Sequence, residues 1–461
     1  MKAGRIKTKS AKVPFNPEEI MLRADTLFRG EQSKDLQAVI AEKIEELQRY
    51  DVLAMDRVVA ILMWGRSGSL LLASYLDGHE DVMMLPESCG QRLYEFAERY
   101  QLLPLRDKLF AYAAFESHYP RFFDGEFAIS RTQYYAAVQA ILEFYGSWPP
   151  DFLDSRRAFF LFVHIAYNLA LGRRPASSHP LVVYAQHMLD DGVARSLVED
   201  FPRAKFLHTV RDPLTTCDGV FHNHFKFAEG HAPSHSVIPI IPYTALSCLI
   251  NRDRPHSGME SRTRTIRFED LHCDPAETMR DISDWLGLAY RTTLLDSTFN
   301  GIPYVVTRDG KAWSGARLEQ IQRHSWYLSP KDRALLYALL YENFTDWNYP
   351  CPKIFRHAIV RLAVFVSLLL VPMKMEIVAA RAVFKRRMLP ALRHGDVPPA
   401  ITSLLGIALC RLKIVWRLAS AFVRRFAYRT TLLQVDNKKR ALERRDVDAL
   451  VKGNGTPCGG S

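Results

Sequence analysis

The sequence predicts an α/β fold, a parallel central sheet with helices on both faces, a mainly helical insertion at about 92–180 and a basic α-helical C-terminal extension. Three observations carry that expectation. Short apolar or mostly apolar runs, VVAIL (58–62, extended by Met63), PLVVYAQ (180–186) and KFLHTV (205–210), lack the polar alternation of half-exposed strands and read as strands buried on both faces. Stretches of helical spacing separate them. A glycine-rich turn, GRSGS (65–69), joins the first run to the next helical stretch.

Each element follows from local pattern. Residues 1–50 form a helical lead-in, with Ile20, Leu22, Ala24 and Leu27 and then Val39, Ile40, Ile44 and Leu47 at mixed helical spacing. After the first strand a helix is expected over Leu70–Leu76, and DGHEDVMMLPE (77–87) returns toward a second strand ending near Pro86-Glu87. The insertion is rich in aromatic side chains at helical spacing, most of them expected in a core. Pro213 belongs at an early position of the helix that follows KFLHTV. A further strand is expected through Thr265–Phe268, then a helix beginning near Asp274-Pro275, with Asp274 as N-cap, and closing near Gly287. No internal repeat is visible, and 437–461 read as a disordered tail after an extension at 352–436.

Composition narrows the class. Hydrophobic residues make up 48% and charged residues 24% of 461, enough for a substantial core. The net charge of +11 is uneven: 352–461 hold 21 Lys and Arg against 6 Asp and Glu, leaving 40 against 44 elsewhere. A polyanion surface is therefore sought in the C-terminal quarter and not in the main domain. Seven scattered cysteines without a C-x-x-C pair suggest free thiols in a reducing compartment. The basic N-terminus is not followed by an apolar stretch, so neither a signal peptide nor an N-terminal anchor is expected.

The loop Gly65-Arg66-Ser67-Gly68-Ser69 carries the chemistry. Two glycines permit a tight turn, successive N–H groups and a helix N-terminus form an anion cradle, and Arg66 with two serine hydroxyls adds donors. Ser69 stands where a Walker A loop has its lysine, which disfavours magnesium-dependent phosphoryl transfer. A plain small-residue turn is the structural alternative for this stretch taken alone.

GRSGSLLLASYLDGHEDV…PE, FPRAKFLHTVRDP and IRFEDLHCDPAETMRDISDWLGL, in that order over 58–288, resemble the sulfotransferases that use 3′-phosphoadenosine 5′-phosphosulfate (PAPS). The nearest look is to their bacterial, carbohydrate and tyrosyl-protein branches. That resemblance implies a P-loop-like parallel sheet. It places Arg66, Ser67, Gly68, Ser69 and Leu70 around the 5′-phosphosulfate and Arg211 on the 3′-phosphate. The family's second 3′-phosphate ligand, a serine eight positions after that arginine, corresponds to Gly219, with Thr215, Thr216 or a backbone N–H open as replacements.

An acceptor hydroxyl needs a proton acceptor. By the same resemblance Glu87 is the general base, with an exposed loop carboxylate or a cap shared with Ser88 as its structural alternative, and Arg66 stabilises charge on the leaving phosphate. His79, in a turn read as structural, is the competing base. Arg267, Glu269 and Asp270 read as a solvated strand end. Lys311 and Trp313 lie where the family has a late cofactor loop, with a packed Trp as the simpler reading. No metal is implied.

In the C-terminal quarter, LAVFVSLLLVPM (362–373) is too short to cross a bilayer core, which takes about 20 helical residues. A helix at 411–429 collects Leu412, Val415, Trp416, Ala419, Phe422, Val423 and Phe426 opposite Lys413, Arg417, Arg424 and Arg425. This is the profile of a helix at an anionic membrane surface, or of one packed on the catalytic domain. The expected protein is a cytoplasmic, peripheral sulfotransferase acting on a glycan or glycolipid hydroxyl, with no nucleic-acid partner. Sulfation of a small molecule or protein tyrosine, a non-catalytic nucleotide-binding membrane protein, and a kinase-like phosphoryl-transfer enzyme are the alternatives.

Overall fold

The computed structural model describes residues 16–31, 36–63, 67–87, 89–116, 122–187, 191–230, 260–308, 311–321, 328–394 and 397–427. The fold is α/β, with a parallel central sheet flanked by helices and a C-terminal helical region. Its strands are β1 (Val58–Met63), β2 (Val82–Met84), β3 (Leu181–His187), β4 (Lys205–Val210) and β5 (Thr263–Arg267), in the order β2-β3-β1-β4-β5. Val58 of β1 pairs with Val182 of β3, and Val82 of β2 with Leu181 of β3, both in parallel. The order reverses at β1, so the loops leaving β1 and β4 lie at a topological switch point, where open parallel sheets bind ligands. The last main strand begins two residues before its expected start and ends one residue before its expected end, the latter because Phe268 already opens a helix.

The described residues fall into two compact units, one drawn from 1–63, 70–207 and 276–315, the other from 64–69, 208–275 and 316–461. In the first unit the lead-in forms α1 (Pro17–Phe28) and α2 (Leu36–Leu47). The Asn16 side chain caps α1 by accepting the Glu18 N–H at 3.0 Å, and Pro17 fits the first turn because its missing N–H would have no helical partner. Between β2 and β3 lie five helices, α4 (Leu93–Arg99), α5 (Leu105–Glu116), α6 (Arg131–Tyr145), α7 (Pro150–Leu153) and α8 (Arg156–Leu171), after α3 (Ser69–Leu76). The lead-in packs on this insertion, α1 on α5 and α2 on α6.

The insertion's aromatic side chains build its core, as expected. Phe28 meets Phe110 with ring centroids 5.0 Å apart, and Phe96 meets Tyr112 at 5.2 Å. Helix α8 is buried on every side from Ala158 to Leu169, consistent with a run that is apolar around its whole circumference. Ser155 caps its start and Gly172, at φ 73°, ends it in the left-handed conformation.

Where α3 ends, Asp77 is buried and its carboxylate takes two bonds from Arg173, at 2.9 and 2.8 Å, one from the Thr298 hydroxyl at 3.0 Å and one from the Gly301 N–H at 3.2 Å. This single carboxylate ties α3 to the insertion and to the hairpin β6 (Thr298–Phe299) and β7 (Ile302–Pro303).

In the second unit α10 (Pro213–Gly230) follows β4, with α9 (Asp191–Asp200) preceding that strand in the first. The helix Pro330–Leu339 starts at a capping box between Ser329 and Asp332. One core holds Leu214 and Phe221 of α10, Leu336, Phe344 and Trp347, and also Phe365, Ile414 and Leu418 of the C-terminal helices. The apolar segment at 362–373 lies in a helix, Ala358–Leu370, that stops before Pro372. The expected basic helix belongs to a longer one, Val397–Ala427, with Pro398 and Pro399 accommodated in its first turn. Among the described residues no helix is long and apolar enough to cross a membrane. The tail 437–461 lies outside the described residues.

Asp77→Ala leaves Arg173 facing a lost buried partner. It is expected to lower the unfolding free energy by about 3–5 kcal/mol in chemical denaturation, far more than the ~0.5 kcal/mol of a surface change.

Candidate active site

In the second unit three segments meet around one ring. Gly68 sits at φ +90°, a conformation costly for any residue with a Cβ, and a Cβ built there would lie 2.4 Å from Cδ2 of Phe268. The glycine is thus required twice, by its backbone angle and by the ring against it. Ser67 is buried, its hydroxyl 3.0 Å from that of Thr209 on β4, and Ser69 opens α3. Gly65 and Arg66 lie outside the described residues, and Leu70, half-buried, follows within α3 in the first unit.

Arg211 leaves the end of β4 and lays its guanidinium 4.1 Å from the centroid of the same Phe268 ring, a cation–π contact. Its Nη2 donates to the Gln320 carbonyl at 2.6 Å. Phe268 therefore joins the loop to the arginine: one face of its turn excludes a side chain at 68, and its ring supports the charge at 211.

The residues after Phe268 fix it. The sequence suggests that Arg267, Glu269 and Asp270 are solvated, but the structure buries them at 4%, 2% and 9% exposure. The helix Phe268–Cys273 starts immediately and turns these charges inward, where each has a partner. Arg267 forks onto Asp270 at 3.0 and 2.7 Å, and Glu269 accepts the Asp212 N–H at 3.2 Å and the Tyr349 hydroxyl at 2.5 Å. Burial pushes the Glu269 carboxyl up from its ordinary value, against the pull of the Tyr349 bond and of Arg211.

His272 packs its ring 4.2 Å from Phe268 and takes the Arg317 N–H on Nδ1 at 2.7 Å, which leaves the proton on Nε2. Burial, followed by the charge of Arg211, pulls its pKa down to about 3. It is thus a neutral member of the platform.

Thr215 gives both its N–H and its hydroxyl to the Asp212 carboxylate, at 2.8 and 2.9 Å, so Asp212 caps α10. The Thr216 hydroxyl points back to the Arg211 carbonyl at 3.5 Å. Both hydroxyls serve the start of the helix, and Gly219 is half-buried further along it.

In the first unit Glu87 follows β2 at φ +46°, one of three non-glycine residues among those described with positive φ. Strain of this kind persists only where surroundings enforce it. Three residues on, the buried carboxylate of Glu116 accepts the Gly90 N–H at 3.1 Å and the Tyr112 hydroxyl at 2.6 Å. The Cys89 N–H closes the turn onto the Pro86 carbonyl at 2.9 Å. Burial pushes the Glu116 carboxyl up. Ser88, the suggested capping partner of Glu87, is outside the described residues.

His79 is structural, as its turn suggests. It is buried, Nδ1 accepts the Asp81 N–H at 3.0 Å and Nε2 donates to the Ala289 carbonyl at 2.8 Å, so neither nitrogen is available as a base. Trp313 is half-buried opposite Val306 in the hairpin β8 (Val305–Arg308) and β9 (Lys311–Ser314). Among the described residues no cluster of three His, Cys, Asp or Glu is placed to hold a metal.

Phe268, Glu116 and His272 have no role in the sequence reading. The available signals were a carboxylate at the end of the otherwise apolar FAYAAFE and charged residues directly after a buried strand.

A sulfotransferase family model matches residues 59–292, just over half of the chain, and the chain belongs to that family. No curated protein matches it. Solved structures to which the chain shows similarity include a sulfotransferase domain from the curacin biosynthetic pathway, at 18% identity and TM-score 0.33 over 52% of this chain and 76% of that one. The sulfotransferase domain of the Synechococcus PCC 7002 olefin synthase gives 18% and 0.30 over the same shares. Sulfotransferase STF9 from Mycobacterium avium gives 10% and 0.36, over 74% of this chain and 99% of that one.

Two outcomes test the platform. Gly68→Ala should cost about 1–3 kcal/mol of stability in chemical denaturation, and an unchanged midpoint would mean that the ring is not seated against the turn. His272 is neutral in the fold down to about pH 3, whereas an exposed histidine titrates near 6.5. Between those values the unfolded chain binds a proton that the folded chain does not. Stability present above pH ~6.5 therefore falls as pH drops, by up to about 1.4 kcal/mol per pH unit. His272→Gln should show a shallower acid loss than the wild type in unfolding measured from pH ~7 to ~4.

Proposed function

We propose that the chain transfers the sulfuryl group of PAPS to an acceptor hydroxyl, by in-line displacement with Glu87 as general base. The observation that carries this reading is the Phe268 platform, which seats the Gly68 turn and Arg211 on one ring. The donor chemistry fits the group: N–H groups at the start of α3, hydroxyls at Ser67 and Ser69, and a guanidinium suit the two anionic ends of a 3′-phosphorylated nucleotide.

Bound PAPS supplies an activated sulfuryl group on a phosphate leaving group. The loop 66–70 binds its 5′ end, and Arg66 stabilises charge that develops on the leaving oxygen. Arg211 binds the 3′-phosphate, held in orientation by Phe268 and by the Gln320 carbonyl. Because the hydroxyls of Thr215 and Thr216 are engaged at the helix start, the position of Gly219 contributes backbone only. Glu87 accepts the proton of the acceptor hydroxyl, and its constrained backbone fixes the direction in which the carboxylate leaves the chain. The aromatic side chains of α4–α8 are spent largely on a core, so a glycan or glycolipid acceptor rests on the likeness to the carbohydrate branch.

Thermal unfolding tests the nucleotide assignment. The product 3′,5′-phosphoadenosine should raise the midpoint more than 5′-AMP does, and Arg211→Ala should erase the difference. Equal stabilisation by both nucleotides in the wild type would remove the 3′-phosphate from the reading. Glu87→Gln should retain nucleotide binding while turnover, followed as 3′,5′-phosphoadenosine release, falls about 10²–10⁴-fold.

A further inference from the structure

The C-terminal helices of the second unit carry apolar side chains on two faces, one in the core with Phe365, Ile414 and Leu418 and one outward, while Arg361 and Arg411 turn inward. On the helix Ala358–Leu370, Arg361 is 9% exposed and bonded to Glu342, while Ile359 is 84% exposed and Leu370 81%. Leu362 and Val366 complete the outward stripe, at spacings of three, four and four residues. On Val397–Ala427, Nη1 of Arg411 donates to both carboxylate oxygens of the buried Glu376, at 2.7 and 2.8 Å, and Ile414 and Leu418 enter the core. Its outward stripe is Leu405, Leu409, Leu412, Trp416 and Val423, each more than half exposed.

A helix in contact with water places charge outward and leucine inward. Here both helices carry a second apolar stripe outward besides the one they bury, and these outer faces are too continuous to be scattered surface residues. Their surroundings are basic: 352–427 hold 14 Lys and Arg against 2 Asp and Glu, and one of those two acids is consumed by Arg411. Lys413 and Arg417 border the outward stripe of the longer helix, and Lys353, Arg356 and Lys374 are exposed near the ends of the shorter. The shorter helix, 13 residues or about 20 Å, cannot cross a hydrocarbon core of about 30 Å.

We infer that these two faces dock in the interfacial layer of an anionic lipid bilayer, each helix lying in the surface with its leucine stripe among acyl chains and its basic flank against lipid headgroups. Charge complementarity selects lipid over a second copy of this chain, which would bring the same positive flanks together. The inference is independent of the sulfuryl-transfer reading.

Co-sedimentation of the full chain with vesicles decides it. Binding to phosphatidylcholine vesicles containing about one-third phosphatidylglycerol should exceed binding to pure phosphatidylcholine by more than about tenfold, and weaken as salt rises. Leu409→Asp with Trp416→Asp should weaken it about a hundredfold, and Lys413→Glu with Arg417→Glu at least about fivefold per charge, with thermal midpoints kept near wild type since these positions are exposed. Protein left in the supernatant with anionic vesicles overturns the inference, as does unchanged binding by the Asp variant. A dimer in lipid-free solution that the Asp variant dissociates also overturns it, because a second copy would then cover the stripe.

Discussion

The ring of Phe268 is the contact on which the proposed nucleotide site depends. A side chain at 68 cannot coexist with it, and the guanidinium of Arg211 rests on it at 4.1 Å. A loop at the end of one strand and an arginine at the end of another are thereby held to a common reference, which is what recognition of two anionic groups at fixed separation requires. The ring is in turn fixed by a short helix whose charges face inward. Glu269 ties that helix to the backbone after Arg211 and to Tyr349, and Arg267 closes on Asp270.

Buried charge is costly unless paired, so these side chains constrain the geometry more than they stabilise it. Asp77 acts in the same way in the first unit, where one carboxylate collects an arginine from the insertion and a hydroxyl and a backbone N–H from one hairpin. Glu116 likewise accepts from Gly90 and Tyr112, joining the segment after Glu87 to α5. In each case a buried carboxylate with several donors joins segments that propensity alone would not bring together. The C-terminal helices apply the principle on a larger scale, with Arg361 and Arg411 anchoring them inward and aliphatic residues left outside.

Much of this architecture was legible in the sequence. Strands β1 and β4 begin and end where their apolar runs do, Pro213 opens its helix, and Gly287, at φ 73°, closes another. Such features are local, set by hydrophobic run length and by residues with special backbone preferences. The platform was not legible because it is tertiary. Nothing in the spacing of Gly68, Arg211 and Phe268 reveals that they share a ring, and charged residues after a strand look solvated until their partners, Tyr349 among them, are placed. The basic helix was found by its periodicity, but its register against the core was not: Ile414 and Leu418, outside the expected apolar face, are the ones buried.

Calorimetric titration of Phe268→Leu with 3′,5′-phosphoadenosine and with 5′-AMP tests the shared ring most directly. Loss of the ring should lower affinity for both nucleotides, because the Gly68 turn loses its stop, and should shrink the preference for the 3′-phosphorylated one, because Arg211 loses its support. A variant that binds both nucleotides as the wild type does would contradict the central role assigned to this ring.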